Sequence, residues 1–172
     1  MPANIEIKAS LKNRAAALAT AARLNGAEPQ IILQEDVFFR CEDARVKLRI
    51  FGPGSGELIR YQRDNVPEVR RSQYSIARTA DPTILLEILT KTLGVVGVVK
   101  KTRTLYLVGQ TRIHIDQVEG LGDFLELEVV LKPNQSEDEG KDIANGLLRE
   151  FGIGQRDLIA GAYIDLLACG AQ

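Results

Sequence analysis

Apolar and polar positions alternate with period two through most of this chain, in short runs broken by turn residues. The runs cover residues 5–10, 31–40, 45–51, 57–63, 71–77, 95–108, 111–118 and 124–131. Successive strand residues point to opposite faces, so each run predicts a β-strand with one apolar side. Between the runs lie turn signals: Glu42-Asp43, Gly52-Pro53-Gly54-Ser55-Gly56, Gly109-Gln110 and Gly120-Leu121-Gly122. Connections this short join antiparallel neighbours, because parallel strands need a dozen or more residues to cross over.

Helices interrupt the strands. Asn13 can cap an alanine-rich helix that ends near Asn25-Gly26. Asp81-Pro82 is an N-cap followed by proline at the first helical position, and Gly94 supplies the stop. Ser136 and Glu139 form a capping box ahead of a stripe of Ile143, Leu147, Leu148 and Phe151 that ends at Gly152. A last helical stretch covers 163–168. The fold class is therefore α+β, dominated by an antiparallel sheet of eight strands.

The polar faces carry unusual chemistry. Glu6 and Lys8 share one face; so do Arg45, Lys47 and Arg49; Lys101 and Arg103; Arg112, His114 and Asp116; and Glu126 and Glu128. Alternation alone also fits a one-sided sheet whose charged face meets water. Two details favour an inward-facing charge instead. A solvated face usually mixes in Thr, Ser, Gln and Asn, whereas here nearly every polar position is ionic. The helices are amphipathic and can cover the aliphatic side from outside. A sheet curled that way is a closed barrel lined with charge, and buried charge demands partners or a charged ligand. Clustered Lys and Arg select an anion, and neighbouring carboxylates select a cation. A metal-bound polyphosphate satisfies both.

Bulk composition narrows the setting. The chain has 172 residues, 45 % of them hydrophobic, which fits one domain over 1–172. Its net charge of −1 provides no global field for nucleic acid or an anionic membrane, so neither is expected as a partner. The start, Met1-Pro2-Ala3-Asn4, lacks a basic region followed by an apolar one, and no apolar run nears the roughly 20 residues of a membrane span. A cytoplasmic protein is expected. Cys41 and Cys169 are read as free thiols. A barrel of this size is compatible with a monomer or a homodimer.

Several segments resemble a known family. Ile5-Glu6-Ile7-Lys8 is similar to the end of the E-x-E-x-K signature of CYTH domains, the triphosphate tunnel metalloenzymes. Lys101-Thr102-Arg103 matches a K-x-R pattern. The block from Thr111-Arg112-Ile113-His114-Ile115-Asp116 to Gly120-Leu121-Gly122-Asp123-Phe124-Leu125-Glu126-Leu127-Glu128 resembles the class IV adenylate cyclase branch. The resemblance implies an eight-stranded antiparallel tunnel and a soluble enzyme using Mg²⁺ or Mn²⁺. It implies carboxylate ligands from Glu6, Asp116, Glu126 and Glu128, and phosphate contacts from Lys8, Lys47, Arg49, Arg63, Lys101, Arg103 and Arg112. Asp116, Glu126 and Lys101 are the catalytic candidates. Asn4 stands where the family has its first glutamate. Gln73 and Ser75 follow Arg71 where an R-x-E-x-E pattern is usual, so some metal-binding carboxylates are replaced.

Two reactions fit such a site. Attack of the ATP 3′-hydroxyl on the α-phosphorus gives cyclic AMP and pyrophosphate. Attack of water on the γ-phosphorus of ATP, inorganic triphosphate or thiamine triphosphate releases phosphate. The Gly-Leu-Gly-Asp-Phe-Leu-Glu-Leu-Glu block favours the first, and a module that binds a triphosphate without turning it over is the third reading. His114, the one histidine, is read as a wall or surface residue rather than an acid–base group. Tyr61, Tyr74 and Tyr106 are read as packing residues. The 52–56 loop lacks the G-x-x-x-x-G-K-[ST] spacing and is read as a hairpin turn.

Overall fold

The computed structural model describes residues 3–62 and 70–170, with residues 3 and 70–73 described by their backbone alone. In chain order the strands are β1 (Ala3–Ser10), β2 (Gln30–Phe39), β3 (Arg45–Gly52), β4 (Ser55–Gln62), β5 (Arg70–Thr79), β6 (Val95–Val108), β7 (Thr111–Val118) and β8 (Gly122–Val130). The helices are α1 (Arg14–Asn25), α2 (Pro82–Leu93), α3 (Glu137–Glu150) and α4 (Tyr163–Cys169), with one 3₁₀ turn at Gln155–Asp157. Every strand pair is antiparallel, and the sheet closes as β1-β5-β4-β3-β2-β6-β7-β8. The eight-stranded antiparallel barrel covered by helices is thus what the chain forms. No helix among the described residues is long and apolar enough to cross a membrane.

Two meanders, β2 to β5 and β6 to β8, join edge to edge through β2 and β6, and β1 fills the gap between β5 and β8. The caps read from sequence are in place. The Asn13 side chain accepts from the Ala16 N–H, Asp81 accepts from Ile84, and Ser136 with Glu139 closes the capping box of α3.

The aliphatic face is the outer one. Ile5 and Ile7 of β1, Ile113 and Ile115 of β7, and Leu125, Leu127 and Val129 of β8 pack with Ala17 and Ala21 of α1 and Ala144 and Leu148 of α3. Fully burying each Ile, Leu or Val side chain among them contributes roughly 1.5–3 kcal/mol. Leu85, Leu86, Leu89 and Leu93 of α2 cover Val37, Phe39 and Leu48 on β2 and β3. Since the pleat alternates, wrapping the aliphatic face in helices leaves the charged face pointing into the barrel.

α4 closes one end. The segment before it is tied to β1, where the Ile159 N–H donates to the Lys8 carbonyl and Ala9 bridges Leu158. β2 and β6 slip register between Phe38 and Phe39, beside Gly97. A β-carbon at Gly97 would lie 2.5 Å from Ile164 Cδ1, so glycine here lets α4 approach the barrel wall. Tyr163 and Ala162 enter the barrel as its floor, beside Phe38, Val99 and Phe124.

Candidate functional site

The inner face of the barrel encloses a cavity of about 580 Å³, a size suited to a small phosphorylated ligand. Its wall includes Glu6 and Lys8 of β1, Lys47 and Arg49 of β3, Lys101 and Arg103 of β6, Arg112 and His114 of β7, and Glu126 and Glu128 of β8. Ten residues singled out in the sequence thus meet in one space. A second groove, about 650 Å³, lies beneath the floor against α4 and the start of β6. Its walls include Val96, Val98, Ile164 and Leu167, and an Arg45–Asp165 pair joined by two hydrogen bonds of 2.9 and 2.8 Å. The converging charges are in the tunnel, so the tunnel is the candidate site.

Strand register sets which groups face each other. The three-residue turn after Val118, with Gly120 at φ 78°, needs a left-handed residue and pairs Val118 with Gly122. From there His114 falls opposite Glu126, and Arg112 opposite Glu128. On the other side of β8, Glu6 faces Glu128 and Lys8 faces Glu126. Glu126 and Glu128 therefore stand at the centre of a three-strand patch, flanked by a base and an acid from β1 and by an imidazole and a guanidinium from β7.

Lys47, Arg49, Lys101 and Arg103 are held by two buried acids. Asp36 of β2 accepts from Lys47 Nζ at 2.7 Å and from Arg49 Nε and an Arg49 terminal nitrogen at 2.7 and 2.8 Å. Asp116 of β7 accepts from Arg103 through both oxygens, at 2.7 and 2.6 Å, and from the Tyr163 hydroxyl at 2.9 Å, with Lys101 Nζ 3.4 Å away. Tyr163 in turn places its ring 3.8 Å below Lys8 Nζ and 5.0 Å from Lys101 Nζ, distances at which a ring face attracts a cation.

These surroundings shift the protonation equilibria. Burial alone would raise the Asp116 carboxyl, but Arg103 and Lys101 hold it well below the usual carboxylate range. Burial also opposes ionisation of Glu126, yet Lys8 and Arg103 keep it charged. Burial, with Arg49 beside it, pushes Lys47 down to about 7 against the pull of Asp36. Burial and Arg103 push His114 down to about 4, leaving it a neutral imidazole at neutral pH.

Asp116, expected as a metal ligand and catalytic group, is 0 % exposed and lies behind the cavity wall with both oxygens bonded to Arg103. Arg63 lies outside the described residues. Asn4 is in the wall and buried. Ser75 is exposed, and its neighbours Tyr74 and Ile76 line the tunnel instead, so position 75 is not where a tunnel carboxylate would be missing. The side chain of Gln73 is outside the described residues. The described inward residues of β5, Tyr74, Ile76 and Arg78, supply no carboxylate. Tyr106 packs in the outer core as expected, and Tyr61 and Tyr74 pack in the cluster with Phe38 and Ile59, as expected, while also lining the tunnel. The 52–56 segment is the β3–β4 hairpin, and both cysteines are free thiols.

Asp36 and Tyr163 were not legible as site residues. Asp36 sits on a strand whose inward face, Gln30, Ile32, Gln34, Asp36 and Phe38, is mostly uncharged. Tyr163 comes from a helix.

One group of potential metal ligands occurs among the described residues. His114, Glu126 and Glu128 each offer an atom, all within 4.8 Å of one another. Glu128 Oε2 accepts from Arg112 at 2.7 Å, and Glu128 Oε1 lies 3.9 Å from His114 Nδ1. That Nδ1 is buried and has no hydrogen-bond partner, a condition that costs about 1–3 kcal/mol unless something fills it. Two carboxylates and an orphaned imidazole nitrogen fit a divalent cation.

A model of the CYTH domain matches residues 2–163. The chain belongs to the CYTH family. CYTH proteins are metal-dependent and bind triphosphates, in keeping with an acidic cluster among basic walls. A Methanocaldococcus jannaschii protein named as a candidate adenylate cyclase is 25 % identical over 140 residues, which cover 77 % of this CYTH chain and 80 % of that protein. A Pyrococcus horikoshii protein of solved structure superposes with a TM-score of 0.84 at 26 % identity, over 95 % of this chain and 98 % of that one. A candidate adenylyl cyclase from Hippeastrum, described as having a dominant triphosphatase activity, shares the fold with a TM-score of 0.68 at 16 % identity, covering 99 % of this chain and 96 % of that one.

Proposed function

We propose that this CYTH protein is a metal-dependent enzyme acting on a triphosphate-bearing substrate, with conversion of ATP to cyclic AMP and pyrophosphate as its first reading. The observation that supports it is the meeting of Lys8, Lys47, Arg49, Lys101, Arg103 and Arg112 with Glu126 and Glu128 around one cavity. Glu126 and Glu128, with Glu6 alongside, would hold Mg²⁺ or Mn²⁺, which would neutralise phosphate oxygens and orient the leaving group. Arg49 and Arg103 each give Nε and one terminal nitrogen to a bracing carboxylate and would offer the other terminal nitrogen to phosphate, and Lys47 and Lys101 act as point charges. Asp116 acts as a positioning residue through Arg103, Lys101 and Tyr163. In the cyclase reaction the 3′-hydroxyl oxygen bonds to the α-phosphorus, the bond from that phosphorus to the α–β bridging oxygen breaks with its electrons going to pyrophosphate, and the hydroxyl proton passes to water. The M. jannaschii relative named for this activity is the reason for placing it first.

The second reading is a triphosphatase that hydrolyses ATP, inorganic triphosphate or thiamine triphosphate. The activity described for the Hippeastrum protein, which shares the fold, supports it. The two are separated by incubating the protein with each substrate and Mg²⁺ or Mn²⁺ and resolving products by chromatography. Cyclic AMP with pyrophosphate is the expected outcome with ATP; inorganic phosphate would move the assignment to the second reading. Glu126→Ala is expected to lower turnover at least about 10²-fold, the scale of losing one electrostatic element of a preorganised site. Triphosphate binding with no product from any substrate would sink both enzymatic readings and leave a binding module.

A further inference from the structure

Histidine is an odd residue to bury in a phosphate tunnel. His114 is 3 % exposed, and it lines the cavity on β7 directly across the strand pair from Glu126. Glu128 is its diagonal neighbour, with Oε1 3.9 Å from His114 Nδ1. That is too long for a hydrogen bond and short enough for one ion lying between the two atoms to reach both. The remaining oxygen of Glu128 is occupied by Arg112 Nε. Glu126 Oε2 lies 3.7 Å from Lys8 and 3.6 Å from Arg103. The Nδ1 atom itself has no partner although it is buried. A histidine placed only to fill volume would not leave a buried nitrogen unpartnered beside a carboxylate.

We propose that His114 is an imidazole ligand, through Nδ1, of the divalent cation held by Glu126 and Glu128, and that it biases this site toward Mn²⁺ and later first-row ions over Mg²⁺. The inference rests on the metal-site reading above and adds to it the donor that sets metal preference. Mg²⁺ favours an all-oxygen octahedral shell and parts reluctantly with its water. Imidazole nitrogen suits transition ions, whose affinity for such donors rises along the first row. A ring nitrogen in the shell therefore discriminates between ions that carboxylates alone treat more evenly.

The chain contains one histidine, so a tag-free protein labelled with ¹⁵N only at histidine reports on this residue alone. Pulsed electron paramagnetic resonance on Mn²⁺ bound to that protein reads directly coordinated imidazole. Expected is a nitrogen modulation that changes with the label and disappears in His114→Gln. Calorimetric titration with Mn²⁺ and with Mg²⁺ should show the Mn²⁺-to-Mg²⁺ affinity ratio falling on the order of tenfold or more in His114→Gln, with circular dichroism confirming that the variant is folded. Mn²⁺ bound with no histidine modulation in the unsubstituted protein would overturn the assignment and leave the carboxylate site standing. If neither ion binds, the metal-site reading and this inference both fall.

Discussion

Lys47 shows how burial tunes a single charge. Its ammonium donates to Asp36 at 2.7 Å and sits 5.4 and 5.7 Å from the rings of Phe38 and Tyr61. Burial and the neighbouring Arg49 push it down to about 7, while Asp36 pulls the other way and Lys101 adds to the repulsion. A polyphosphate would favour the charged form, so binding takes up a proton when the pH is above about 7 and loses strength as the pH rises through that value. Lys47→Arg stays charged throughout. Titrations with inorganic tripolyphosphate at pH 6 and pH 8.5 should show the unsubstituted protein losing about tenfold more affinity than the variant, the scale of one charge-assisted hydrogen bond. Comparing the two proteins cancels the titration of the ligand. Equal losses would show that Lys47 keeps its proton.

At the level of elements, the tunnel depends on helices fitted closely to the outer barrel face. α3 lies against β1 through Gly140, where an added β-carbon would stand 2.6 Å from Leu131 Cδ2 and 2.7 Å from Ile5 Cγ1. Alanine is the better helix former, so Gly140→Ala would stabilise an exposed helix. Here the clash with Ile5, which is fully buried, outweighs propensity. The substitution is expected to cost roughly 1–3 kcal/mol, measured by denaturant unfolding. A stabilised variant would show that α3 stands further from β1 than described. The same displacement would reach the site, because Ile5 precedes Glu6 on β1, the strand that also carries Lys8.

The whole molecule separates its charges in space. Net charge is −1, yet basic side chains outnumber acidic ones in the tunnel wall. Closing the sheet concentrates them where an anion meets several at once and little water. Such a ligand binds the folded chain alone and stabilises it by about 2.7 kcal/mol at a hundredfold excess over its Kd. For 172 residues that corresponds to roughly 5–10 °C in Tm. Thermal melts with tripolyphosphate and Mn²⁺ should show that rise, and the Arg103→Ala variant should show little of it. An equal rise in the Arg103→Ala variant would place the binding site away from Arg103 and the tunnel.

Strand number, strand faces and helix caps were legible because period-two alternation and capping chemistry are local. Glu6, Lys8, Arg112, Glu126 and Glu128 could be grouped from spacing alone, since residues two apart in a strand must share a face. Spacing does not say which strands adjoin. Only closure of the sheet puts β1 between β5 and β8, and so sets Glu6 against Glu128 and Lys8 against Glu126. Closure likewise covers Asp116 with Arg103, Lys101 and Tyr163, makes Asp36 the brace of Lys47 and Arg49, and brings Tyr163 from a distant helix under Lys8. The amino-acid order by itself determined the barrel class and the inventory of charges. The tertiary structure decided which charges neutralise one another and which remain to meet a ligand, because that depends on distances between strands far apart in the chain.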